Sequence, residues 1–209
     1  MKIKKLLIGI PSIDYQHTEF VKSLTGLIMK LKDDGIPFDI DIEAGTLVYL
    51  ARNRIACKAI NEGYSHVLWL DADMVFTPDV LDDLMFSGKP FVTGIAHSRR
   101  PGYASCLFSD LDINHLTRFE QYPSNTFEVE GCGFACVLIE TEILKAVQME
   151  SGSCFLPMRE YGEDLAFCIR AKRLGYKIYA EPGVRLGHVG HIVVYPEERG
   201  RWLRDYGNS

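Results

Sequence analysis

Residues 66–76, HVLWLDADMVF, carry two aspartates directly behind a run of apolar residues. The five residues before the first acid have the length and apolar character of a fully buried strand. Asp71 and Asp73 then stand at its carboxyl end, where open α/β sheets bind their ligands. Unpaired carboxylates are rarely buried, so this stretch predicts a partner for both acids.

Strand and helix patterns alternate before this stretch. An apolar strand over 5–10 and a half-exposed strand over 35–45 flank a helix whose apolar residues recur at three- and four-residue steps between 20 and 31. A second helix is predicted over 47–62, ending at Gly63. Short connections between alternating strands and helices predict a parallel sheet with right-handed crossovers.

Two helices have specific features that the structure can test. The helix over 47–62 is predicted to point Leu47 and Leu50 toward the core, together with Ala51 and Ile55. The helix after Asp73 is predicted to take Thr77 as its N-cap and Pro78 as its first residue.

The second half of the chain is less regular. We predict two strands joined by a basic turn (90–97 and 103–108), and then a strand, a glycine break and another strand within 126–141. A short amphipathic helix (162–175) and a last strand (176–182) follow. No linker, change of composition or internal repeat divides the 209 residues, so the sequence predicts one α/β domain.

Composition narrows the class of protein. With 47% hydrophobic residues, 24% charged residues and a net charge of −5, the chain is an ordinary globular protein with no overall attraction for nucleic acid. The start MKIKKLLIGIP has only a short apolar run and no cleavage site of small residues, so we predict a first strand and not a signal peptide. Six cysteines without C-x-x-C spacing, and no apolar run near the roughly 20 residues that span a bilayer, favour a cytoplasmic protein with free thiols.

The D-x-D triplet is the first candidate site. Asp71 and Asp73 are two residues apart and would face one crevice if the strand continued. Two hard oxygen donors there suit Mg²⁺ or Mn²⁺ carrying a substrate phosphate. The alternative is structural: one acid begins a turn and the other caps a neighbouring element.

A second acidic pair and a histidine loop follow later in the chain. Glu163 and Asp164 open a helix, where acids are favoured by the helix dipole, yet an acid at such a junction can also act as a general base. His188 and His191 lie in a glycine-flanked loop. Each suits a protein surface, and a neutral imidazole near the aspartates would also complete a metal site, tilting it toward Mn²⁺.

Other polar motifs are weaker. Gly131 and Gly133 lack the third glycine and following helix of a dinucleotide fingerprint, so they indicate a bulge or close approach of backbone to a ligand. Arg52 and Arg54 are two residues apart on a helix and therefore lie on different faces, so one of them can face the site while the other is solvated. Arg99 and Arg100 form a basic turn that is either solvated or a diphosphate clamp.

In this order, the strand ending in IP, the ARN helix, LWLDADM, the G-x-G-F strand and GEDLAFCIRAKRLGYKIYAEPGVRLGHVGH resemble GT-A-fold glycosyltransferases. The likeness is to compact bacterial and phage enzymes related to the large inverting family, and it runs from about Ile8 to His191. It implies a single α/β GT-A domain with a mostly parallel central sheet flanked by helices. Residues 1–95 would bind the nucleotide-sugar, 96–192 would hold the acceptor, and 193–209 would be a tail.

The resemblance also implies a metal site of Mn²⁺ or Mg²⁺ on the donor diphosphate. Asp73 matches the direct metal ligand, and Asp71 matches a position nearer the ribose or the metal. His188 matches the histidine that completes the metal shell, with His191 as the substitute.

The catalytic roles come from the same resemblance. Asp164 matches the acid that deprotonates the acceptor hydroxyl, with Glu163 beside it on a sugar, and Gly133 falls where backbone passes close to donor and acceptor. The implied substrates are a UDP-sugar donor and a glycan or other hydroxyl-bearing acceptor, with acceptor choice resting on 98–125 and the tail. Pro11, Ser12 and Arg52 match nucleobase contacts, and Ala72 is the remaining donor-binding residue.

Three other classes compete with this interpretation. A haloacid-dehalogenase-like phosphatase also has an apolar strand followed by D-x-D, but usually on its opening strand. A nucleotidyltransferase also presents paired aspartates, but would want a glycine- and lysine-rich segment where this chain has GIPSIDYQHTEF. A catalytically dead nucleotide-binding scaffold would be expected to lose the acids, and Asp71, Asp73 and Asp164 are all present.

Overall fold

A computed structural model describes residues 2–13, 15–99, 102–190 and 193–194. Strands and helices alternate in the first half and strands predominate in the second. In chain order the elements are β1 (Leu6–Pro11), α1 (Thr18–Asp33), β2 (Phe38–Glu43), α2 (Val48–Asn61), β3 (His66–Leu70), β4 (Met74–Val75), α3 (Val80–Phe86), β5 (Phe91–Ile95), β6 (Leu107–Asp110), β7 (Thr117–Arg118), β8 (Phe127–Val129), β9 (Gly131–Cys132), β10 (Cys136–Glu140), α4 (Thr141–Ser151), α5 (Glu163–Arg173), β11 (Ile178–Arg185), β12 (Gly187–Val189) and β13 (Val193–Val194).

Seven strands form the central sheet, in the order β2-β1-β3-β10-β5-β11-β8. β2, β1 and β3 pair in parallel, and so do β5 and β11. β10 lies antiparallel between β3 and β5, and β8 lies antiparallel to β11. Five of the seven strands therefore run in one direction, which confirms the mostly parallel α/β sheet expected from the sequence.

Strand β3 shows why the sheet is buried on both faces. All five of its residues are buried. Val67 and Trp69 join one core cluster, and Leu68 and Leu70 join the other, as the two-residue period of a strand requires. Helices therefore cover both faces, and the polar residues that follow β3 emerge at the edge of the sheet.

Helix α2 has a narrower buried face than expected. Ala51 and Ile55 are fully buried, but Leu47 is 62% exposed and Leu50 is 37% exposed, so the prediction for these two leucines is wrong. Leu47 is the N-cap, with an extended backbone (φ −66°, ψ 140°) to which helical spacing does not apply. Leu50 lies one residue before Ala51, about 100° around the helix and at the margin of the buried stripe.

The start of α3 also differs from the prediction. The helix begins at Val80 with Asp79 as its N-cap, and Pro78 belongs to the turn before it. The backbone N–H of Val80 donates to the carbonyl of Thr77 (3.2 Å), so Thr77 begins this turn and does not cap the helix with its side chain.

Sequence reasoning missed α4 entirely. Its buried face, Ile143, Leu144 and Val147, has helical spacing, and Gly152 ends it with φ 73°. The strand expected over 103–108 begins only at Leu107. The six cysteines are free thiols. Throughout the parts of the chain that the structure describes, no helix has the length and apolarity needed to cross a membrane.

Candidate functional site

A pocket of about 360 Å³ opens at the carboxyl ends of β1 and β3. It brings together residues from the end of β1, from α2, from the turn after β3 and from the start of α5. Nine of the residues singled out in the sequence line it: Pro11, Ser12, Arg52, Asp71, Ala72, Asp73, Arg99, Glu163 and Asp164.

The D-x-D triplet lies in a turn just beyond β3. The N–H of Asp71 donates to the carbonyl of Ala135 (3.1 Å), and the N–H of Met74 donates to the carbonyl of Asp71 (3.2 Å). The chain thus leaves the sheet at Asp71 and turns back by Met74. Both acids face the pocket through this turn and not through continued strand geometry.

Asp73 lies between two cationic side chains. Its Oδ2 accepts from Arg99 Nη1 at 2.7 Å and lies 3.2 Å from His188 Nε2. Burial alone would raise the pKa of Asp73, but the hydrogen bond and charge of His188, together with the charge of Arg99, hold that pKa below its usual value. Asp73 is therefore a firmly ionised carboxylate.

His188 reaches Asp73 through a short strand pairing. β12 lies antiparallel to β4, with His188 opposite Met74, and the N–H of Val189 donates to the carbonyl of Asp73 (2.8 Å). The ring Nδ1 lies 2.8 Å from the carbonyl of His97, which only accepts, so Nδ1 carries a proton. Burial lowers the pKa of His188, but the hydrogen bond and charge of Asp73 outweigh it and leave that pKa raised.

Asp73 and His188 fit the requirements of a divalent cation. A metal-bound histidine commonly donates its other ring N–H to a backbone carbonyl, as Nδ1 does here. Within the described ranges, no three His, Cys, Asp or Glu side chains converge as a metal cluster. An ion at this pair would take its remaining oxygens from water and a substrate phosphate, as Mg²⁺ usually does.

Arg52 lines the pocket and contacts an acidic residue on each side of it, Asp71 and Glu163. Its side chain is 3% exposed; Nη2 donates to Asp71 Oδ1 at 2.9 Å, and Nε lies 3.5 Å from Glu163 Oε1. The guanidinium carbon is 5.1 Å from the ring centre of Phe134. These contacts orient Arg52 toward the acids, so the nucleobase contact implied by the resemblance stays a prediction.

Asp71 differs electrostatically from Asp73. Burial raises the pKa of Asp71 to about 6, the charge of Arg52 opposes the rise, and the nearby Asp73 and Asp164 add to it. With Oδ1 bonded to Arg52, Asp71 as a metal ligand also stays a prediction.

Asp164 lies on the opposite side of the pocket, in the first turn of α5. Burial raises the pKa of its carboxyl, and the charge of Glu163 raises it further, while Arg52 and the N–H of Leu165 act against the rise. The N–H of Leu165 donates to Oδ1 at 2.8 Å. A carboxylate with a raised pKa is a stronger proton acceptor than an ordinary aspartate.

Gly133 lies beside Asp164 but is not among the residues that line the pocket. A Cβ built on Gly133 would lie 3.6 Å from Asp164 Oδ2 and 3.4 Å from the Cβ of Cys106. The backbone there is held by the N–H of Gly133 donating to the carbonyl of Cys106 (2.9 Å). His191, the substitute metal ligand, lies outside the described residues.

Sequence reasoning gave no role to two exposed side chains at the mouth of the pocket and left Arg99 undecided. Arg99 lines the pocket and donates to Asp73; Arg100 lies outside the described residues, and the diphosphate clamp stays a prediction. Ile13 and Tyr15 also line the pocket and are 75% and 74% exposed. Both lie in the segment after the first strand, whose only interpretation from sequence concerned the lack of a glycine- and lysine-rich motif.

Comparison with curated proteins finds similarity by sequence. No protein-family model matches the chain. The mannan polymerase complex subunit MNN9 of Candida albicans is 26% identical over 200 residues, covering 76% of this chain and 53% of that protein. The chain therefore spans about half the length of this curated relative.

Solved structures share the fold. A197 from STIV matches with a TM-score of 0.62 and 19% identity, covering 92% of this chain and 90% of that one. UDP-glucose pyrophosphorylase complexed with UDP-glucose matches with a TM-score of 0.53 and 11% identity, covering 87% and 90%. The mostly parallel α/β sheet flanked by helices, which the resemblance implies, is confirmed, and these solved structures share that fold.

Proposed function

We propose that this chain is a glycosyltransferase that moves a sugar from a nucleotide-diphosphate sugar to an acceptor hydroxyl. One observation carries the proposal: Asp73, which lies 3.2 Å from His188 Nε2, and Asp164 line the same pocket. Similarity to a subunit of a complex named for mannan polymerisation supports sugar transfer. The fold shared with an enzyme bound to UDP-glucose supports a UDP-sugar as donor.

Each half of the pocket has a separate chemical task. Asp164 takes the proton from the acceptor hydroxyl, whose oxygen attacks the anomeric carbon as the bond from that carbon to the diphosphate breaks. A single displacement of this kind inverts the anomeric centre. Asp73 and His188 would hold Mn²⁺ or Mg²⁺, which would supply positive charge for the departing diphosphate.

Calorimetric titration with UDP, GDP and CDP, with and without Mn²⁺, tests the donor site. We expect UDP to bind only when Mn²⁺ is present. Asp73→Asn should weaken this binding by about 10–100-fold, the range for damage to a metal shell, because a neutral amide is a poorer ligand than the carboxylate. If no nucleotide binds to the unaltered protein under any condition, the assignment of the donor site is wrong.

Nucleotidyl transfer is the second candidate, favoured by the shared fold with UDP-glucose pyrophosphorylase. The segment after β1 counts against it, because Ser12, Ile13 and Tyr15 replace the expected glycines and lysines. The products separate the two activities: a glycosyltransferase releases UDP from a UDP-sugar, whereas a nucleotidyltransferase forms UTP when given pyrophosphate. The phosphatase alternative gains nothing here, since the D-x-D follows the third strand and not the first.

A further inference from the structure

Arg99 holds the oxygen that a metal ion would need. Its Nη1 lies 2.7 Å from Asp73 Oδ2 and 3.3 Å from the carbonyl of Val189. The side chain is 49% exposed and lines the pocket. The steps proposed for Asp73, His188 and Asp164 do not involve this residue.

The two partners of Asp73 Oδ2 are not equivalent. His188 Nε2, at 3.2 Å from the same oxygen, can offer a lone pair to a metal once the ring is neutral. A guanidinium has five N–H donors and no lone pair to give, and it stays charged in proteins. A divalent ion can therefore share Asp73 with His188, and it would compete with Arg99 for Oδ2, the oxygen that both side chains contact.

A displaced Arg99 has a suitable destination within the pocket. The exposed half of its side chain allows the guanidinium to turn away from Asp73. Its planar fork matches phosphate oxygens in a bidentate manner, and the metal that replaces it on Asp73 would bring the diphosphate to the same place. The loss of one charged hydrogen bond is then offset by another.

We propose that Arg99 is a competing cation: it occupies Asp73 until a divalent ion takes that carboxylate, and it then binds the diphosphate of the donor. The inference rests on the proposed function, since the diphosphate belongs to the nucleotide-sugar. It means that Arg99 weakens the binding of the metal alone and strengthens the binding of the metal–nucleotide pair. Metal and nucleotide therefore bind cooperatively.

The test measures two affinities in three proteins by calorimetry. Arg99→Ala should bind Mn²⁺ alone about three- to tenfold more tightly than the unaltered protein, because Asp73 is released. At saturating Mn²⁺, Arg99→Ala should bind UDP about tenfold more weakly, because one clamp on the diphosphate is lost. Arg54→Ala is the matched control: it removes the same charge from a side chain 60% exposed, outside the pocket lining, and should change neither affinity.

The two arms fail separately. Unchanged or weaker Mn²⁺ binding in Arg99→Ala, or none in any variant, overturns the competition at Asp73. Unchanged UDP affinity in that variant overturns the transfer of Arg99 to the diphosphate. If the unaltered protein binds no nucleotide, the proposed function fails, while the Mn²⁺ titrations still decide whether Arg99 competes for Asp73. Equal melting temperatures of the three proteins would show that the affinities belong to folded proteins.

Discussion

The two sides of the pocket treat an aspartate in opposite ways. Asp73 lies between His188 and Arg99, and its pKa is lowered although burial opposes this. The pKa of Asp164 is raised by burial and by the charge of Glu163, and the charge of Arg52 offsets this rise only in part. The aspartate on one side of the pocket therefore stays ionised, whereas the aspartate on the other side is the stronger proton acceptor.

The difference lies in the neighbours that each element supplies. The turn after β3 receives His188 from β12 and Arg99 from the loop after β5. The first turn of α5 instead places a second acid next to Asp164. Pairs of titratable groups whose surroundings move their pKa values apart are the usual mark of divided acid–base and binding roles.

The largest effect is expected from neutralising the acceptor side. Asp164→Asn should lower the rate of UDP release from a UDP-sugar in the presence of acceptor by about 10²–10⁴-fold, the contribution typical of a general base. Calorimetric affinity for UDP with Mn²⁺ should stay unchanged, because Asp164 is not part of the Asp73 pair.

Asp73→Asn is the matched control for that prediction, since it should reduce the affinity for UDP as well as the rate. A loss of UDP affinity in Asp164→Asn equal to that in Asp73→Asn would contradict the division between the two sides. Full activity of Asp164→Asn would remove the base from the mechanism.

Filling the space beside Asp164 should have a smaller effect. Gly133 does not have a positive φ, and a Cβ there meets only ordinary contacts, so Gly133→Ala should fold normally. The added methyl group would lie 3.6 Å from Asp164 Oδ2, and if the acceptor hydroxyl binds on that side, transfer should fall about tenfold, as it does for small misplacements of reactants. Steady-state kinetics with varied acceptor checks this, and an unchanged rate would separate Gly133 from the acceptor.

Much of the fold could be predicted from the sequence because its signals are local. Strand β3 matches the prediction at both ends, since its apolar run is bounded by polar residues. The antiparallel insertion of β10 between β3 and β5 could not be predicted, because strand order depends on contacts between distant segments. Helix α4 carried an adequate pattern, with Ile143, Leu144 and Val147, and was overlooked.

The site could be predicted in its residues but not in its contacts. The acids and His188 were identified from motif and resemblance. Asp73 and His188 are 115 positions apart, however, and they meet because the two-residue strand β4 pairs with β12. So short a strand has no recognisable pattern. The same holds for Arg52, whose burial between Asp71 and Glu163 depends on how α2 packs.

Stability should respond to the two aspartates with opposite signs. The raised pKa of Asp164 means that ionisation costs stability above the pKa of the unfolded chain, so Asp164→Asn should raise the melting temperature at pH 7. The lowered pKa of Asp73 stabilises the fold above the unfolded pKa and is lost as pH falls, so Asp73→Asn should lower the melting temperature. Both differences should shrink toward pH 3, where the carboxyls are protonated in the unfolded chain. Shifts of equal sign at pH 7 would contradict the electrostatic contrast.

The smallest expected effect is a shift in the acid limb of the pH–rate profile. Transfer needs ionised Asp164, so the rate rises with pH, and its midpoint should lie above the pKa of an ordinary aspartate. Glu163→Gln removes a charge that raises this pKa and should move the midpoint to lower pH, whereas Arg52→Met removes a charge that lowers it and should move the midpoint to higher pH. Arg54→Met, on the same helix but 60% exposed, should leave the midpoint in place. Rates of UDP release at saturating donor from pH 4 to 8 measure the shift; movement of both variants in one direction would mean that a group other than Asp164 titrates.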